Sequence, residues 1–145
     1  YDFYEPRTVH ESSLSPCIYS ILAADLEREE KAYQLYLRTA RLDLDNYNTD
    51  TDDGLHITSM AGTCMSIVKG FAGFEVKDGR VEFSPFLPEA WDGFEFMIIF
   101  RGRRIKVDVS QEEAVFSLEE GNDLKIKVYY QEYLLNKSED LIVEK

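Results

Sequence analysis

The chain has 145 residues, 44% of them hydrophobic and 13% aromatic, enough apolar side chain for a substantial core. Its formal net charge of -12 is the opposite of the basic footprint that nucleic acid or an anionic membrane surface requires, and it opposes any anionic ligand at long range. No apolar run approaches the roughly 20 residues of a membrane span.

Tyr1 to Pro6 carry no basic segment leading into an apolar one, so they are not read as a signal peptide but as the interior of a longer chain. An irregular stretch follows to about residue 13. Ser15-Pro16 predicts a helix start, because a serine oxygen can cap free N–H groups and proline at the first helical position has no N–H to lose. That helix runs to about Leu26 with Ile18, Ile21, Leu22 and Asp25 on a mostly apolar face, and Ala23 and Ala24 permit close packing. A second helix from about Glu29 to Leu42 sets Ala32, Leu35, Tyr36, Thr39 and Ala40 against Glu30, Lys31, Gln34 and Arg38. The short link at Glu27-Arg28 makes the two an antiparallel hairpin.

Residues 43–54 form an acidic loop rich in Asp and Asn. Its spacing fails the EF-hand pattern, so it reads as turn chemistry and not as a calcium loop. A third helix begins in Gly54-Leu55-His56-Ile57-Thr58-Ser59 and ends near Gly70 to Gly73. Ile57, Met60, Ala61, Cys64, Ile67, Val68 and Phe71 recur at helical spacing and predict its buried face. Thr58 and Ser59 stand where a cap is expected. Cys17 and Cys64 are expected as free, buried thiols of a reducing cytosol.

From Phe74 the period changes from 3.6 to 2. Asp78-Gly79 between two short alternating runs is a type I′ hairpin signal. Alternation resumes over Phe94 to Phe100, Ile105 to Val109, Val115 to Leu118 and Leu124 to Tyr130, with Leu141-Ile142-Val143 as a further edge. The expected fold class is α+β, about three helices in residues 1–72 and then six or seven antiparallel strands in 73–145.

No P-loop, dinucleotide fingerprint, zincin helix or cysteine zinc site occurs, so neither cofactor nor metal is expected. His10 and His56 each precede a predicted helix beside hydroxyl residues. Two such helix starts can converge on one small anion such as phosphate, since free N–H groups and the helix dipole favour negative charge there. The plainer alternative is a histidine satisfied by loop hydrogen bonds beside a capped core helix. Glu5, Glu11 and the cluster Arg101, Arg103 and Arg104 read as solvated charge.

Tyr4-Glu5-Pro6-Arg7-Thr8-Val9-His10-Glu11-Ser12-Ser13-Leu14-Ser15-Pro16, Tyr36-Leu37-Arg38-Thr39-Ala40-Arg41-Leu42-Asp43-Leu44-Asp45-Asn46 and Asp53-Gly54-Leu55-His56-Ile57-Thr58-Ser59-Met60-Ala61-Gly62-Thr63, continuing through Phe83-Ser84-Pro85-Phe86-Leu87-Pro88 and Trp91, resemble the C-terminal part of the family 65 glycoside phosphorylases. The resemblance implies the last helices of an (α/α)6 catalytic barrel over residues 1–72 and a small antiparallel β-sandwich domain over 73–145. It implies inverting phosphorolysis of an α-glucosyl disaccharide such as maltose, giving β-glucose 1-phosphate and glucose. The general acid would lie upstream of this chain, so none of its residues is expected to be catalytic and the chain alone is expected to be inactive. His56, Thr58 and Ser59, with His10, Ser12 and Ser13, are the implied phosphate-binding residues. The partners implied are inorganic phosphate and the disaccharide, with no nucleic acid or membrane, in a cytoplasmic homodimer at full length. Two alternatives stand beside this. One is a noncatalytic carbohydrate-binding module using Trp91, Tyr129, Tyr130 and Tyr133; the other is the same fold acting as an α-glucoside hydrolase, which would need a carboxylate to activate water.

Overall fold

The computed structural model describes residues 1–12, 14–46, 49 and 51–145 in two units, Tyr1–Phe71 and Ala72–Lys145.

In the first unit, α1 spans Ser15–Asp25 with Pro16 in its first turn, where a missing N–H costs nothing. The chain reverses through Glu27 at φ 57° into α2, Glu29–Ala40. The two helices pack antiparallel: Ser20 Oγ donates to the Ala32 carbonyl at 2.7 Å, and Ala23 and Ala32 are fully buried. Ala32, Leu35 and Thr39 form the buried side of α2, as their spacing predicts. A single turn, α3 (Leu42–Asp45), ends at Asn46 in the left-handed region. After a 3-10 turn at Thr51–Asp53, α4 covers Ile57–Met65 and continues as a π-helical stretch over Ser66–Phe71.

The periodicity predicts the buried face of this helix only at its far end, where Phe71 is buried; over α4 itself the apolar stripe is not the buried one. Ile57 is 66% and Met60 45% exposed, and Ala61 and Cys64 are exposed too, whereas Ser59, Gly62, Ser66, Gly70 and Phe71 are buried. In α1 likewise Ile18 and Leu22 face outward and Cys17, Ser20 and Ala23 inward. The reason is a seam of small residues that lets backbones approach closely. A Cβ at Gly62 would lie 2.8 Å from Cys17 Sγ, and one at Gly70 3.6 Å from Ile21 Cα. The hydroxyls in the seam have acceptors: Ser66 Oγ donates to Gly62 O at 3.0 Å and Thr39 Oγ1 to Leu35 O at 3.0 Å, so burying them is tolerated. Periodicity marks a stripe but cannot say which of two stripes a neighbour takes. Both cysteines are free, but only Cys17 is buried.

Gly62→Ala should therefore destabilise the helical unit, although alanine is the better helix former. Overpacking costs about 1–3 kcal/mol against about 1 kcal/mol of helix propensity gained. A lower urea midpoint checks this; an unchanged or higher one would show that Cys17 moves aside freely.

The same contacts fix direction. Cys17 lies opposite Gly62, and Ile21 and Ala24 opposite Gly70, so α1 and α4 run parallel; Thr39, near the end of α2, also approaches Gly62. The starts of α1 and α4 and the end of α2 consequently share one end of the unit.

The second unit is a sandwich of two four-stranded sheets. Its strands are β1 (Glu75–Lys77), β2 (Arg80–Phe83), β3 (Gly93–Phe100), β4 (Arg103–Ser110), β5 (Glu113–Glu120), β6 (Leu124–Val128), β7 (Gln131–Leu135) and β8 (Leu141–Glu144). They are ordered β1-β2-β6-β7 and β3-β4-β5-β8. Val81, Phe83, Ile126, Val128 and Leu135 from one sheet close a common core with Ile105, Val107, Phe116 and Val143 from the other; Phe83 and Phe116 meet with ring centroids 4.9 Å apart. Asp78 and Gly79, at φ 50° and 77°, make the expected type I′ turn. Two features depart from expectation. β2 and β6 pair in parallel, so the domain is not wholly antiparallel. The run read as ending at Tyr130 breaks at Tyr129 and Tyr130, at φ 45° and 71°, and returns as β7. Tyrosine is a poor signal for a turn that needs positive φ, so the alternation through Tyr130 announces neither this turn nor β7.

Candidate functional site: two loops at the shared end of the helices

Helix α4 starts from a tether. Asp43, in the single turn α3, accepts the backbone N–H of His56 at 2.9 Å on Oδ2 and faces His56 Nδ1 at 2.5 Å with Oδ1. These bonds hold the Asp43 carboxyl below the ordinary carboxylate range, the side-chain bond contributing most. An ionised carboxylate only accepts, so Nδ1 carries the hydrogen. His56 occupies the cap position, where Thr58 and Ser59 were expected to act. Thr58 instead sits exposed in the first turn. Ser59 is buried and donates its hydroxyl to the Thr39 carbonyl at 2.7 Å, which pins the start of α4 to the end of α2.

The loop before α1 is anchored one residue away on the same helix, where Arg38 Nη2 donates to the His10 carbonyl at 2.8 Å. Thus both loops fasten to Arg38-Thr39, at the end of the unit toward which the starts of α1 and α4 point. The His10 ring itself is turned inward: it is 8% exposed, its Nδ1 lies 2.8 Å from Ser15 Oγ, and its Nε2 is 3.6 Å from Glu5 Oε1. Glu5 in turn meets Lys31 Nζ at 2.7 Å. Ser15, expected as a cap, is the first helical residue with its hydroxyl turned to His10. Ser12 is exposed, and its Oγ accepts the Leu14 N–H at 3.3 Å. Ser13 lies outside the described residues.

The structure therefore gathers the two loops, but the five described residues among those expected to bind phosphate play unlike parts. His56 and Thr58 line the start of α4, Ser12 the approach to α1, while Ser59 and His10 tie the loops to the scaffold. Sequence reading missed Asp43, which it left among the turn residues of an acidic loop, and Arg38, which it placed on a solvated face. No short-range pattern links Asp43 to a histidine 13 positions on. Among the described residues, no group of three His, Cys, Asp or Glu is arranged to hold a metal ion, and no helix is long and apolar enough to cross a membrane.

His10 makes the helical unit acid-sensitive. Burial, and then the Arg38 charge, push its pKa below the ordinary 6.5, outweighing the opposing pull of Glu5. The unfolded chain then binds the proton more readily than the folded one. The stability His10 confers is therefore complete above pH 6.5 and lost as pH falls below it. Urea unfolding at pH 7, 6 and 5 should show a decline that His10→Gln reduces; an identical decline in the variant would assign it to other groups.

Two family models match successive parts of the chain. The glycosyl hydrolase family 65 central catalytic domain matches residues 1–65, and the family 65 C-terminal domain matches residues 74–135. Maltose phosphorylase of Bacillus subtilis (strain 168) is 53% identical over 135 residues, covering 93% of this chain and 18% of that protein. Alpha,alpha-trehalose phosphorylase of Thermoanaerobacter brockii is 45% identical over 139 residues, covering 96% and 18%. A solved structure assigned as a kojibiose phosphorylase from the human microbiome superposes on 100% of the chain and 21% of its own, with a TM-score of 0.92 at 37% identity. The chain thus spans about a fifth of the length of these relatives.

Proposed function

Because the chain belongs to glycosyl hydrolase family 65, carrying sequence of its central catalytic and C-terminal domains, we propose that it forms the C-terminal end of an inverting disaccharide phosphorylase and supplies that enzyme's phosphate-binding loops. The observation that carries this reading is the shared end of the helical unit, where α1 and α4 both begin and both loops fasten to Arg38 and Thr39. Two helix starts present N–H groups and positive dipole ends together, with the His56 imidazole at one of them. Such a local site can hold phosphate against the net charge of -12.

In the reaction proposed, a phosphate oxygen attacks the anomeric carbon of an α-glucosyl disaccharide. The glycosidic C–O bond breaks with inversion, and a carboxylic acid upstream of this chain protonates the departing sugar oxygen. Phosphate arrives as an anion and needs no second carboxylate to activate it. That favours phosphorolysis over hydrolysis here. Asp43, bonded at the α4 start, takes two N–H groups of His56 and is held well ionised by them, which makes it a weak base for water. Maltose is the first substrate choice, since the relative with 53% identity bears that name. The enzyme is read as a cytoplasmic homodimer.

The test is product identity in the intact enzyme. Incubation with maltose should release β-glucose 1-phosphate and glucose in equal amounts, and only when inorganic phosphate is present. Release of two glucose molecules without phosphate would replace this reading with hydrolysis.

A further inference from the structure

Asp43 lies in a stretch that carries the family resemblance but is not among the phosphate-binding residues that the resemblance implies. Its carboxylate spans two parts of one residue, the backbone N–H of His56 and ring atom Nδ1. A single hydrogen bond to the His56 N–H would be enough to tether the chain at the helix start, as the reciprocal bond of a capping box does. The second bond does something else: it removes the freedom of the ring to flip and selects which nitrogen bears the proton. A carboxylate set on one edge of an imidazole also strengthens whatever the other edge does, the arrangement by which outer residues tune histidines that bind metals. The pair is largely shielded, with 15% of the Asp43 and 23% of the His56 side chain exposed, so solvent screens the interaction only in part.

We propose that Asp43 is a positioning residue for phosphate, fixing the His56 imidazole with Nδ1–H turned back to the scaffold so that its Nε2 edge, at the start of α4, accepts an O–H of hydrogen phosphate. This rests on the phosphate-site reading above. It adds a residue on a different element, α3, whose one helical turn brings Asp43 to the start of α4. Lengthening or unwinding that turn would leave His56 in place in sequence but free in orientation. Asparagine at position 43 could accept one of the two N–H groups but would turn an NH2 toward the other, so it should disturb the ring while keeping size and local polarity.

The experiment uses the intact phosphorylase with inorganic phosphate and maltose varied separately. Asp43→Asn should raise KM for phosphate about tenfold, in the range seen when outer-sphere partners of a histidine are removed, while KM for maltose stays within about twofold. Asp43→Glu should recover part of the loss. A purely structural role would instead depress both substrates alike or change only thermal stability, and that result would overturn the proposal. Controls separate it from the reading beneath it. No phosphate-dependent turnover by the wild type would fail the phosphorylase reading, and an unchanged phosphate KM in His56→Gln would fail the phosphate site. With both intact, an unchanged phosphate KM in Asp43→Asn overturns Asp43 alone. Should that variant not fold, 15N spectra of the histidine-labelled wild type decide: the proposal requires the Nδ1–H tautomer at His56, and an Nε2–H tautomer refutes it.

Discussion

Replacing His56 by alanine in the intact phosphorylase should lower kcat/KM for phosphate by about a hundredfold, with KM for the disaccharide nearly unchanged. The magnitude follows from the loss of a hydrogen bond to a charged ligand, worth about 1.5–3 kcal/mol, or a factor of roughly 10 to 150. The helix itself should survive, because Ser59 still anchors it to Thr39, although the Asp43 carboxylate loses its imidazole. His56→Ala therefore differs from Ser59→Ala. The latter removes a buried donor from the Thr39 carbonyl and should act mainly on stability, by about 1–3 kcal/mol. Steady-state kinetics with phosphate and maltose varied in turn, beside melting curves of both variants, separates the two. Equal effects on both substrates in His56→Ala would remove His56 from the phosphate site.

The largest effect of all is expected from the isolated chain: no measurable phosphorolysis of maltose at any phosphate concentration. Under the proposed reading the general acid and most of the sugar subsite lie upstream, and Glu5 does not replace them, since it is already occupied by Lys31 and faces the buried His10. The outward faces of α1 and α4 offer a second readout. Ile18, Leu22 and Leu26 on or after α1 and Ile57, Met60 and Met65 on α4 are each 40–66% exposed, an amount of apolar side chain that soluble proteins usually cover. The isolated chain should accordingly self-associate, with Ile57→Lys and Met60→Lys together shifting it toward monomer in sedimentation. Turnover by the isolated chain would overturn the assignment of the general acid; a clean monomer would show that these faces tolerate water.

How much of this was legible beforehand depends on the range of the interaction. The α1–α2 hairpin, the Asp78-Gly79 turn and the alternating strands were readable because each is set by neighbours a few residues apart. β7 escaped because Tyr129 and Tyr130 adopt positive φ without the residues that usually announce it. The loops around His10 and His56 were recognisable as helix starts with hydroxyls beside them. Their individual roles were not, since Ser59 and His10 look as available in sequence as Thr58 and Ser12. Burial against α2 and Glu5 is what separates them.

By itself the sequence determined the class of the protein: a change of hydrophobic period near residue 73, two histidines at helix starts, and motif matches long enough to name a family. Tertiary structure alone decided which stripe of α1 and α4 is buried, because close approach through Gly62 and Gly70 depends on the helix placed opposite. It alone brought both helix starts to one end, and it alone put the Asp43 carboxylate on His56. Those pairings join residues 13 or more positions apart, and no local period encodes a contact that only chain folding creates.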